Sequence, residues 1–120
     1  MPEKLDLIWT AQNYHDLHDS FLGPADTKAL NIAFFNALNP GGVFLVIDHV
    51  AEAGSGLRDT ETLHRIDPVR MKNEIEEAGF VLESQSDALR NPDDDHVRAV
   101  FDPSIRGKTD QVVFRFRKPQ

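Results

Sequence analysis

The stretch Leu38-Asn39-Pro40-Gly41-Gly42-Val43-Phe44-Leu45-Val46-Ile47-Asp48-His49 decides the fold. It reads as the end of a helix, a tight turn, and a strand with no polar residue from Val43 to Ile47. A strand that is apolar at every position is expected to be buried on both faces, at the centre of a sheet with helices on each side. Pro40 fixes φ and cannot continue the helix, while Gly41 and Gly42 supply conformations that larger residues resist. Asp48 and His49 emerge at the strand's carboxyl end, where open α/β sheets bind ligands.

Upstream, Leu5–Thr10 is short and apolar enough for a second buried strand. Residues 11–20 are polar and rich in His and Asp. A helix fits Ala25–Leu38, with Asp26 in its first turn and Leu30, Phe34, Ala37 and Leu38 on one face. Downstream, Val50–Ile66 is a long connection whose Gly54-Ser55-Gly56 predicts mobility. Asp67-Pro68 opens the next helix as cap and first-turn proline. Met71, Ile75 and Ala78 form its buried stripe, and Gly79 ends it with Phe80 packing back. Phe80–Ser86 is a third strand, Ala88–Asp110 a polar loop, and Gln111–Arg117 a last strand that alternates Val112, Phe114 and Phe116 with Val113, Arg115 and Arg117. Trp9 and the phenylalanines are assigned to the core. The order β-α-β-α-β-β predicts an α/β fold: about four strands, mostly parallel with an antiparallel last strand, flanked by helices in a partial Rossmann-like arrangement.

With 120 residues, 40% of them apolar, the chain suits one domain spanning residues 1–120. A net charge of −7 without a basic run argues against nucleic acid and anionic membranes as partners. Cysteine is absent, which removes disulfides, thiolate metal sites and a Cys nucleophile. No apolar run has the length of a membrane span and the first residues lack a signal-peptide core, so a cytoplasmic setting is expected unless a signal has been lost.

The densest polar cluster is His15, Asp16, His18 and Asp19. It reads either as a divalent metal site or as a loop cap in which Asp and His bond local backbone, and the cap reading is preferred, so no metal ligand is assigned. Asp48 and His49 could close a ligand pocket at the strand end or simply cap the next loop. His64, Arg65 and Asp67 read as a helix entrance, and Asp93–Asp95 as solvated carboxylates that, beside His96, could alternatively hold a weak cation. Arg106 and Lys108, either side of Gly107, could bind an anion or form a charged loop.

The segment Leu5-Asp6-Leu7-Ile8, then Asn13-Tyr14-His15-Asp16, then a helix into Leu38-Asn39-Pro40-Gly41-Gly42 and a strand ending in Asp48, resembles the second half of a class I S-adenosylmethionine-dependent methyltransferase. Glu77-Ala78-Gly79-Phe80 and the strand, loop and strand after it resemble that family's carboxyl-terminal close. His64-Arg65-Ile66-Asp67-Pro68 and the run from Phe101 to Asp110 are similar to a group of bacterial predicted methyltransferases of unsettled substrate. The resemblance implies methyl transfer to a small molecule, with Asn13 and Tyr14 beside the cofactor, His15 or Asp16 as general base, and Asp48, His49 and Arg106 on the acceptor side. The family's Gly-rich turn and ribose-binding acid lie on earlier strands, and nothing before Leu5 supplies them. The chain therefore reads as a truncated product, a fragment or a reused half-domain, and the isolated chain is expected to be inactive. Its partner would be a missing amino-terminal half or a second copy, paired along the Leu5–Thr10 edge. The competing readings are a non-catalytic, self-associating α/β module that binds no S-adenosylmethionine, and a His/Asp metal-binding protein.

Overall fold

The structure, a computed structural model, describes residues 4–12, 14–15 and 27–120. Six elements occur in the expected order: β1 (Leu5–Ala11), α1 (Thr27–Ala37), β2 (Leu38–His49), α2 (Pro68–Glu77), β3 (Val81–Ser86) and β4 (Gln111–Arg117). The strands form one sheet in the order β1-β2-β4-β3. β1 pairs with β2 in parallel, and β4 runs antiparallel to both β2 and β3. Three strands thus point one way and the last opposes them. The sheet is nonetheless mixed, not mostly parallel, because two of its three ladders are antiparallel. β4 is inserted between β2 and β3, so its single reversal sets the hand of both its ladders.

β2 begins before the turn. Leu38 already pairs with Leu5, and pairing resumes at Val43 opposite Leu7, with residues 39–42 bulging out between. Gly41 adopts φ 82°, and its N–H donates to the Lys118 carbonyl at 2.8 Å. A Cβ at Gly42 would lie 2.9 Å from the Asn39 carbonyl oxygen. The two glycines serve different needs, one conformational and one steric.

Burial along β2 alternates. Phe44, Val46 and Asp48 are buried, whereas Val43, Leu45 and Ile47 are only partly covered. Both helices serve the Phe44 face. The core joins Phe44, Val46, Phe114 and Phe116 to Met71 and Ile75 of α2, with Phe34 and Phe35 of α1 packed against them. The expectation of burial on both faces is corrected accordingly: among the described residues, helices cover one face. Trp9, expected in the core, is 64% exposed, and Leu7 is 53% exposed. Their register opposite Leu45 and Val43 puts both on the other face. Phe101 is also exposed, at 63%.

The helix boundaries follow local chemistry. The Asp67 carboxylate accepts the Val69 N–H at 3.0 Å to cap α2, Pro68 occupies its first turn, and Gly79 ends it at φ 112°. In α1, Asn31 is wholly buried within the apolar stripe and donates to the Tyr14 hydroxyl at 2.9 Å. The predicted first helical residues, Ala25 and Asp26, lie outside the described residues. The polar loops are also tied down. Arg65, fully buried, donates to both carboxylate oxygens of Asp94 (2.6 and 3.0 Å) and to the Val50 carbonyl. Asp94 is therefore buried, not solvated, and Arg65 is a core ion-pair partner in addition to flanking the helix entrance.

Candidate functional site

Because β1 and β2 are parallel, their carboxyl ends emerge side by side, and the Gln12 N–H still donates to the Ile47 carbonyl at 2.7 Å. That places His15 against the end of β2. Asp48 is fully buried there and its carboxylate is well supplied with donors. Oδ2 accepts the His15 backbone N–H at 2.7 Å, and Oδ1 accepts from His15 Nδ1 and from the His49 backbone N–H, both at 2.8 Å. An ionised carboxylate only accepts, so the bond places a His15 proton on Nδ1.

The His15 ring lies 6.1 Å from that of His49 and 5.6 Å from that of His64, and His64 packs edge-on against Phe101 at 5.2 Å. His49 Nδ1 lies 2.7 Å from the Thr109 hydroxyl. Burial pushes the His49 imidazole below its ordinary pKa; the Asp48 charge opposes this, and the charges of His15 and Arg65 reinforce it. The three imidazoles, with Gln12, Val100 and Phe101, line a cavity of about 400 Å³. An adjoining lobe of about 280 Å³ shares Gln12, His49, Val100 and Phe101 and adds Arg106 and Thr109. Gln12 and His64 have φ of 63° and 59°, a region that side-chain-bearing residues seldom occupy and that clusters at functional sites.

Of the residues expected to act, His15, Asp48 and His49 meet at this cavity, and Arg106 lines its second lobe. The Tyr14 side chain points elsewhere. It is buried between the helices, donates to Glu74 at 3.0 Å and accepts from Asn31. Burial and then the Glu74 charge raise its pKa well above the phenol range. Asn13 and Asp16 lie outside the described residues, as do His18 and Asp19 of the metal alternative. Among the described residues no group of three His, Asp or Glu side chains converges as a metal site. His64 is a cavity residue that sequence reasoning missed, as are Gln12, Val100, Phe101 and Thr109, since only the fold brings a helix-entrance residue beside His15. The Gly54 and Gly56 N–H groups are occupied by Asp67 Oδ2 (3.0 and 3.3 Å), so this glycine pair clamps the helix cap and offers no cofactor cradle.

Fold and cavity together define a mixed α/β domain with a histidine-lined cleft where its two parallel strands end. The chain matches no protein-family profile and no curated protein. It is similar in fold to a chain of the "Complex between the Haloferax volcanii Trm112 methyltransferase activator and the putative methyltransferase", with a TM-score of 0.60 and 13% identity. The match covers 98% of this chain and 55% of that one, so this chain spans about half of its neighbour's length. At that identity the similarity is one of fold. No helix among the described residues is long and apolar enough to cross a membrane.

Proposed function

We propose that this domain supplies the acceptor side of an S-adenosylmethionine-dependent methyl transfer to a small molecule. The observation that carries the reading is the buried Asp48–His15 pair, whose imidazole lines the strand-end cavity. Asp48 fixes the tautomer and orientation of His15, which suits Nε2 to take the proton from an acceptor O–H or N–H as it becomes a nucleophile. S-adenosylmethionine, when bound, would supply the electrophilic methyl group. The described residues hold no Gly-rich cradle for it, and the Gly54 and Gly56 amides are already engaged, so the donor side is assigned to strands beyond this half-sheet. The fold neighbour, from a complex described as containing a methyltransferase activator, supports the reading at the level of architecture.

A second reading rests on a different observation, the open apolar sheet face with Leu7 and Trp9 exposed. A non-catalytic module that self-associates through that face would also have this fold. Two measurements separate the readings. Calorimetry with S-adenosylmethionine and its demethylated product is expected to show binding weaker than micromolar, and micromolar binding by the lone chain would overturn the assignment of the donor side elsewhere. An NMR screen of small O–H and N–H nucleophiles is expected to shift the His15 and His64 ring signals. A screen without such shifts at millimolar concentration would leave the module reading standing.

A further inference from the structure

We infer that the second lobe of the cavity is an oxyanion subsite, with Arg106 as its anchor, and that the molecule it takes carries a carboxylate or phosphate group. This deepens the acceptor reading by naming a substrate class. The chain has eight arginines and an acidic balance of −7. Seven of them, Arg58, Arg65, Arg70, Arg90, Arg98, Arg115 and Arg117, have a carboxylate within ion-pair distance. Arg106 is the exception among the described residues, and it is the arginine that lines the cavity.

In a protein with surplus acid, an arginine kept clear of carboxylates retains its full capacity for an incoming anion. A guanidinium binds carboxylate or phosphate through two parallel N–H donors, which fixes orientation as well as affinity. The neighbouring groups suit such a ligand: Thr109 and Gln12 offer polar atoms and exposed Phe101 offers an apolar face. The two lobes share Gln12, His49, Val100 and Phe101, so one molecule can reach both. Its anion would sit at Arg106 and its nucleophile would extend toward His15.

The test compares benzoate, 4-hydroxybenzoate and phenyl phosphate with neutral benzamide, by NMR titration of the wild-type chain and of Arg106→Gln, Arg106→Lys and Lys108→Gln. Arg106 is exposed, so these variants are expected to keep the fold, verified by their amide spectra. Arg106→Gln is expected to weaken the anions at least about tenfold, with partial recovery in Arg106→Lys and no change for benzamide. Lys108 does not line the lobe, and its variant is expected to bind as wild type. Equal loss in both charge-removing variants would mean a diffuse field and overturn the subsite, as would anions binding no better than benzamide. The titration contains no methyl donor. Failure of the methyl-transfer reading would leave a positive result intact, while a negative result here would leave the His15 screen untouched. Preference between benzoate and phenyl phosphate distinguishes the two oxyanion sources.

Discussion

Asp48 shows how one side chain turns a strand end into a site. Its carboxylate satisfies two backbone N–H groups of residues far apart in sequence and still orients an imidazole. Its place at the end of an apolar strand was legible in the sequence, as was His49 beside it. His64 was not, because a residue 16 positions beyond Asp48 reaches the cavity only once the intervening loop is folded back. His49 makes the residue scale testable by pH. Its folded-state pKa lies below the ordinary 6.5, chiefly through burial. Its contribution is therefore complete above the unfolded value and is lost as pH falls from there toward the lowered folded value, since the unfolded chain takes up a proton that the native state refuses. Urea denaturation between neutral pH and pH ~5 is expected to show stability falling on the acid side, by at most about 1.4 kcal/mol per pH unit for one proton. In His49→Gln that portion of the slope disappears. An identical slope in both proteins would mean that His49 ionises equally in both states.

At the scale of elements, the regular structure was legible and the loops were not. The alternation Val112, Phe114, Phe116 against Val113, Arg115, Arg117 appears as buried and less buried faces of β4, and Met71 and Ile75 are the buried stripe of α2. Those signals are local periodicities. The loops carry no period, and their polar composition reads as solvated. Arg65 and Asp94 instead bury one another across 29 positions, and Asp94 also accepts the Asp110 N–H at 2.7 Å. Burial is the largest single influence on the Asp94 carboxyl and raises its pKa, but the Arg65, Asp110 and His96 hydrogen bonds together prevail and hold it below its ordinary range. Asp67 joins helix to loop. One oxygen caps α2 at Val69, and the other accepts the Gly54 and Gly56 amides, which orders a stretch whose glycines predicted mobility. Asp67→Ala is expected to cost about 2 kcal/mol, at the top of the range for helix caps, because the loop amides lose their acceptor too. Chemical denaturation measures the loss, and hydrogen exchange is expected to rise at Gly54 and Gly56 as well as in the first turn of α2. Faster exchange in α2 alone would show that the loop has other support.

At the scale of the whole molecule, the unbroken apolar run of β2 led to the expectation of burial on both faces, yet among the described residues helices cover only one of them. The opposite face sets Leu7 and Trp9 of β1 beside Leu45 and Val43 of β2. Among the described residues β1 pairs with one neighbour only, so its outer edge has backbone groups outside any described ladder. Large side chains so exposed contribute about 1.5–3 kcal/mol each when buried, and a contiguous apolar patch of this kind marks an association surface. A second copy laid against the same face would bury both sets at once with a closed two-fold interface, and would need roughly 800 Å² from each chain to be stable. The chain is therefore expected to sediment as a dimer at high micromolar concentration. Leu7→Lys places a charge on that face without touching the helix-side core, so it is expected to shift the population toward monomer while leaving the monomer's secondary structure unchanged. A wild-type monomer at the highest soluble concentration would remove self-association as the cover for this face. It would then point to a different protein surface as the cover for Trp9.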